Sequence, residues 1–342
     1  PLFEPGDEPE RHVEQHRDRD QGHHRFEFML MPGETKENME RPETVRHYLS
    51  RFVDPDHFEV MRRLVYTFNA LMARQWRQDR VLLAGDAAHM TPQFMGQGAS
   101  SGIRDAYNLG WKLDLVLKGH CRDSLLDSYE RERKAHAQSM IDVSVMLKDV
   151  VSMTHPVGTR LRDLGLRLLQ ATPLTRRWLT EGRFKPKPRY ARGSYLGLRR
   201  RRLGGPEGTL APQPEVRCLD GRRVLLDEAL GPGFALVGLG IDPRTPLDAA
   251  SLALLRRLDA RHVALYAYGE RPQGPDTARD ASAALAELED IGGEMLTWLR
   301  RAGCRRGSVA ILRPDRFAFG VVPARQLNAA VRELARQLSL ND

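Results

Sequence analysis

Cysteine is scarce in this chain: there are three, Cys121, Cys218 and Cys304, scattered without C-x-x-C spacing. That excludes a disulfide framework and a cysteine zinc site, and makes the cytoplasm the default expectation. No apolar run approaches the roughly 20 residues that cross a bilayer, and no signal peptide is visible, so no membrane partner is expected. Lysine is also rare, with 7 lysines against 46 arginines among 45 acids. The net charge of +8 and the run Arg199-Arg-Arg-Arg202 invite nucleic acid. No aromatic residues interleave with that run as a single-strand platform requires, so a solvated loop is expected there and nucleic acid is not. The positive balance suits anionic small molecules, a phosphorylated nicotinamide among them. Also absent is a strand followed by G-x-G-x-x-G and a helix; the nearest string, Gly238-Leu-Gly240-Ile-Asp-Pro243, has proline at the third glycine position. His12, His16, His23 and His24 are ligand types, but the sequence around them promises no helix to fix them, so a loop and no metal are expected.

What is present is Arg80-Val-Leu-Leu-Ala-Gly-Asp-Ala-Ala-His89, then Pro92 and Gly96-Gln-Gly-Ala-Ser-Ser-Gly102. Val81 to Ala84 is an uninterrupted apolar run, the pattern of a strand covered on both faces. Asp86 ends it, placed either to cap the following turn or to accept hydrogen bonds from sugar-like hydroxyls. From Gly102, the positions Ile103, Ala106, Tyr107, Gly110, Leu113, Val116 and Leu117 recur at helical spacing, and Gly119 supplies a stop. The helix begins inside the glycine cluster, so unpaired N–H groups at Gly98, Ala99 and Ser100 can approach an electron-rich ligand.

The glycine cluster does not fit a dinucleotide fingerprint, because Ser101 stands at the third glycine and the preceding strand ends about ten residues too early. Gly98-Ala-Ser100-Ser-Gly102 fits the G-x-S-x-G of a serine hydrolase, with Asp127 and His136 downstream. That elbow needs a strand running into the serine, and Pro92, Gly96 and Gly98 interrupt it.

The constellation Gly85-Asp86-Ala87-Ala88-His89, Pro92, Gly96-Gln97-Gly98, Gly102, Asp105-Ala106, Asn108-Leu109 and Trp111-Lys112-Leu113 resembles the second flavin-binding motif of the single-component aromatic hydroxylases, the family of para-hydroxybenzoate hydroxylase and phenol hydroxylase. The resemblance extends to His24–Met29 as a strand of the substrate-covering sheet, Val65–Phe68 as the strand before the motif, Tyr129–Arg133 as the helix after it, and Arg313-Pro314-Asp315-Arg316-Phe317 near the end. Two departures stand out. Relatives usually carry asparagine at Ser100, and the half that grips adenine and pyrophosphate would precede Pro1, so the chain reads as a fragment or truncated product.

The resemblance implies FAD as cofactor, NADH or NADPH as co-substrate, and transfer of oxygen from O2, through a flavin C4a-hydroperoxide, to a phenolic aromatic acid of the hydroxyphenylpropionate type. By the same resemblance Gly85, Asp86 and Ala87 lie along the ribityl chain, with Asp86 binding it. Pro92 sits against the ring near the substrate, Gly96 and Gln97 also contact the cofactor, and the N–H groups of Gly98, Ala99 and Ser100 face the pyrimidine C2 carbonyl. His89 either tunes the site or packs. Met31, Tyr66, Phe94 and Met95 either line the substrate pocket or belong to the core. No catalytic base is identified. A homodimer is compatible with the family. Two other readings remain: a non-catalytic remnant or interaction fragment, and a hydrolase using Ser100.

The expected class is α/β with α+β character, the carboxyl-terminal part of a para-hydroxybenzoate-hydroxylase-like fold plus a small thioredoxin-like domain. Residues 1–78 would belong to the substrate-covering sheet and 79–155 to the flavin segment with its following helices, including a long helix from Asp123 to about Ser152. Residues 156–205 form a proline- and arginine-rich connection with a helix near Arg160 to Gln170. In 206–342, strand-like and helix-like segments alternate. Without C-x-x-C this last domain is expected to carry no redox chemistry and to serve packing or subunit contact.

Overall fold

The computed structural model describes residues 13–17, 24–190, 192–196, 205–272, 285–301 and 303–341. In chain order the first elements are strands Val13–Arg17 (β1) and His24–Phe28 (β2), helices Lys36–Met39 (α1) and Pro42–Leu49 (α2), and four two-residue strands. These are Leu71–Met72 (β3), Arg77–Gln78 (β4), Val81–Leu82 (β5) and His89–Met90 (β6). Helices Gly98–Leu117 (α3), Asp127–Val151 (α4), Pro156–Gln170 (α5) and Pro173–Thr180 (α6) follow. The carboxyl-terminal part runs Glu215–Arg217 (β7), Arg223–Leu225 (β8), Leu226–Leu230 (α7), Ala235–Leu239 (β9), Ala249–Arg257 (α8) and Arg261–Ala267 (β10). It ends with Leu285–Asp290 (β11), Glu294–Arg301 (α9), Ser308–Leu312 (β12), Ala318–Pro323 (β13) and Leu327–Gln337 (α10).

These elements form two compact units. One holds the chain up to Ala70 with Thr91–Met95 and Asp142–Phe184; the other holds Leu71–Met90, Gly96–Ile141 and the chain from Lys185 on. In the first, β1 pairs antiparallel with β2. That strand corrects the loop expected around His16; His12 and His23 lie outside the described residues. Val65–Phe68, expected as a strand, is not one. Its Tyr66 and Phe68 pack edge to face at 4.9 Å instead of joining a ladder. Helices α5 and α6 start where sequence chemistry requires: His155 and Thr172 cap through their side chains, each followed by proline at the first helical position.

The second unit is built on a seven-stranded sheet of order β13-β12-β9-β10-β11-β7-β8. Its inner strands β9 and β12 are buried at every position, as continuous apolar runs covered on both faces should be. Parallel β9 and β10 are joined through α8, whose Asp248 cap accepts from the Ser251 N–H. The antiparallel hairpin β12–β13 then leads into α10. This βαβ plus ββα order makes the part from β7 on a mixed α/β domain, and Cys218 and Cys304 in it are unpaired thiols.

One core of this domain, containing Phe234, Leu236, Val309, Ile311 and Val331, also takes in Leu115, with Trp111 packed against it. Trp111 and Phe234 meet edge to face at 5.5 Å. The carboxyl-terminal half of α3 is therefore anchored in the carboxyl-terminal domain.

Candidate functional site

The motif strand is shorter and less covered than its sequence suggested. Only Val81 and Leu82 are paired, antiparallel to β4, and Val81 is 65% exposed. A buried strand needs neighbours on both sides, and among the described residues β5 has one. Gly85–Ala87 then forms a 3-10 turn. Gly85 takes φ +58°, a conformation that favours glycine. Its backbone lies so close to α3 that a Cβ on Gly102 would stand 3.4 Å from the Gly85 Cα. Asp105, one turn further along α3, accepts the Gly85 N–H at 3.0 Å.

Asp86 and Ala87 are exposed, so the carboxylate of Asp86 is free to meet a ligand. Helix α3 starts at Gly98, with no side-chain cap from Gln97. Its first helical bond is Ser101 N–H to Gln97 carbonyl at 2.9 Å. The N–H groups of Gly98, Ala99 and Ser100 precede that bond and carry the positive end of the helix dipole. A Cβ built on Gly96 or Gly98 would meet nothing within 4 Å, so space lies open there. An uncapped helix start, an exposed carboxylate and open space fit the electron-rich edge and hydroxylated chain of a flavin.

His89 is buried. Its Nε2 and Asp105 Oδ2 are 2.7 Å apart, and its ring lies 5.3 Å from that of Trp76. Arg133 Nε donates to the other oxygen of Asp105 at 2.7 Å, and its Nη2 donates to the Ser101 carbonyl and hydroxyl. Burial opposes ionisation of Asp105, but the His89 hydrogen bond and the Arg133 charge outweigh it and hold the carboxyl below its usual range. His136, beside Arg133, is pushed down to about 4 by burial and by the charges of Arg133 and Arg104.

Pro92, Phe94 and Met95 belong with the first unit. Pro92 is buried and its carbonyl accepts from Ser144 Oγ at 2.5 Å. Phe94 lies 6.3 Å from Phe68, which joins it to Tyr66, while Met31 stands half-buried after β2. Ser100 is half-buried on α3 and is preceded by the 3-10 turn Gln93–Met95, not by a strand. His136 Nδ1 is 3.2 Å from Arg133 Nη1 and Asp127 pairs with Arg77 at 2.5 Å; neither is hydrogen-bonded to Ser100.

The largest correction concerns α3. Ile103, Tyr107 and Leu117, read as its apolar face, are 61%, 66% and 79% exposed. The buried positions are Leu109 and Leu115 together with the polar Ser101, Asp105, Asn108 and Lys112, while Leu113 and Val116 of the expected apolar set pack against a core. Lys112 Nζ and Asn108 Nδ2 both donate to Glu132 of α4, at 2.8 and 2.7 Å. Arg313, beyond β12, completes the group with a two-pronged bond to both Glu132 oxygens, each at 2.8 Å. Asp315 accepts from Arg313 and Asn108. Burial disfavours the Glu132 carboxylate, but Arg313 and Lys112 hold it well below its usual range, while burial lowers the Lys112 ammonium to about 8. A signal for this face was in the sequence: polar residues at 101, 105, 108 and 112 follow helical spacing as closely as the apolar ones do.

Residues 15–144 match the FAD binding domain family and residues 208–337 the HcaD C-terminal domain. Similar curated proteins include a 3-(3-hydroxy-phenyl)propionate/3-hydroxycinnamic acid hydroxylase of Klebsiella pneumoniae, 39% identical over 324 residues, covering 93% of this chain and 56% of that protein. The protein of the same name from Paraburkholderia xenovorans is 37% identical over 363 residues, covering 93% of this chain and 57% of that protein. Among solved structures, aklavinone-11 hydroxylase in complex with FAD and aklavinone aligns with TM-score 0.60 at 22% identity, over 91% of this chain and 54% of its own. CabE, an aromatic hydroxylase from angucycline biosynthesis, aligns with TM-score 0.63 at 20% identity, over 96% of this chain and 59% of its own. The chain thus spans little more than half the length of these relatives; its residues 15–144 belong with the FAD binding domain family and 208–337 with the HcaD C-terminal domain family, and in sequence it is similar to hydroxylases of that name.

Proposed function

We propose that the protein acts as a flavin-dependent monooxygenase that hydroxylates a phenolic acid of the 3-(3-hydroxyphenyl)propionate type, with NADH or NADPH and O2 as co-substrates. The observation that carries this reading is the uncapped, small-residue start of α3 beside the exposed carboxylate of Asp86. FAD, when bound and reduced, supplies the oxygen activation that no amino-acid side chain provides. The chain's part is to hold and polarise. N–H groups of Gly98, Ala99 and Ser100 favour negative charge on the flavin's pyrimidine edge through the helix dipole. Asp86 accepts hydrogen bonds from ribityl hydroxyls. Asp105, fixed by Arg133 and His89, holds the Gly85 turn against α3 so that these groups converge. The substrate class follows the names of the relatives at 37–39% identity.

The test is oxygen-dependent oxidation of NADH and NADPH by the FAD-reconstituted protein, screened over phenylpropionates, phenols and hydroxybenzoates with product analysis. A ring-hydroxylated product from a phenylpropionate is expected. Reconstituted protein that yields none, or labelling of Ser100 by a fluorophosphonate, would overturn the reading.

A further inference from the structure

We propose that Arg313, in the carboxyl-terminal domain, is a positioning residue for the flavin-binding turn, acting through Glu132 and the polar face of α3. This rests on the flavin reading above. Arg313 lies in the β12–β13 connection, where its N–H bonds the Phe317 carbonyl at 3.0 Å and its own carbonyl accepts from Arg316. Its guanidinium is fully buried and sits 5.1, 5.6 and 5.3 Å from the ring centres of Trp111, Tyr190 and Tyr195. A planar cation held between rings can fork onto a carboxylate in one geometry only, which fixes the Glu132 side chain.

Glu132 and Arg133 are neighbours on α4 and grip α3 at successive turns. Glu132 takes Asn108 and Lys112; Arg133 takes Asp105 and Ser101. Asp105 then holds the Gly85 N–H and His89. A rotation or slide of α3 would separate every one of these buried partners together, so the contacts set the helix's register as a group. Two buried polar groups, Arg313–Glu132–Asn108–Lys112 and Arg133–Asp105–His89, adjoin through the backbones of α3 and α4 and together reach from the carboxyl-terminal domain to the Gly85–Ala87 turn and the first turn of α3. The two cations, Lys112 and Arg313, balance the two carboxylates, Glu132 and Asp315, so no net charge is buried.

The test uses two variants of the full chain. Arg313→Met with Glu132→Met removes the forked pair yet leaves Lys112 and Asp315 balanced; Arg313→Lys keeps the charge and loses the fork. Hydrogen exchange at the amides of Ser101 to Asp105 is read without flavin, and FAD affinity is read separately by fluorescence. In the folded double variant both exchange and the FAD dissociation constant rise by about tenfold, the size expected for a mutation along a coupling network. Arg313→Lys gives a smaller rise in exchange of the same sign. Changes confined to residues 308–318, with exchange at 101–105 equal to wild type in either variant, would overturn the proposal. Because the exchange measurement needs no FAD, a wild-type chain that fails to bind flavin sinks the functional reading and leaves this one to be decided by exchange.

Discussion

The carboxylate of Asp86 faces solvent, while three residues on the ring of His89 is buried against Trp76 and bonded to Asp105. One is free to bind; the other holds the turn. Asp86→Ala is therefore expected to leave the melting temperature unchanged and to raise the FAD dissociation constant by about 10- to 100-fold, the range for a lost hydrogen bond to a charged group. Unchanged affinity in a fluorescence titration would contradict the assignment. His136 offers a second residue-level test. Its folded value of about 4 lies below the unfolded value of about 6.5, so the unfolded chain binds a proton that the folded chain refuses. The stability this confers is complete above pH 6.5 and is lost as pH falls toward 4, by up to about 3 kcal/mol. His262, also lowered by burial, adds to the same slope. Denaturant midpoints measured from pH 7 to pH 4 should fall less steeply for His136→Gln than for wild type.

At the scale of the element, α3 shows both the reach and the limit of the sequence. Its start inside the glycine cluster and its end just before Gly119 were legible, because turn chemistry is local. Its orientation was not. Apolar periodicity assigns the inner face to Ile103 and Tyr107, but Arg133, Glu132 and Asp315 bond Asp105, Asn108 and Lys112 from positions 20 to 207 residues away in sequence. A polar face can be the buried one where every group on it is paired, and pairing at such separations is not written in a helical repeat. Strands of the carboxyl-terminal domain were legible for the opposite reason: β9 and β12 are apolar at nearly every position and are buried throughout. In β7, β8 and β11, charged residues such as Arg217, Arg223 and Glu287 break the apolar pattern that marks a strand. The close approach of the Gly85 turn to α3 gives a direct prediction. Gly85→Ala forces a side chain into positive φ and should cost about 1–2 kcal/mol in a denaturant melt. An equal or higher midpoint would show that the turn relaxes freely.

At the scale of the molecule, the carboxyl-terminal α/β domain and the segment from Gly96 to Ile141 share one compact unit, joined by the apolar core at Trp111 and Leu115 and the buried charges at Arg313. The central claim is that the first turn of α3 is where a flavin is held. Hydrogen exchange at Gly98, Ala99 and Ser100, measured with and without saturating FAD, tests it most directly. FAD is expected to slow exchange at these three amides, which lack helical partners without it. FAD binding that leaves them unchanged, or protects only residues outside 85–101, would contradict it.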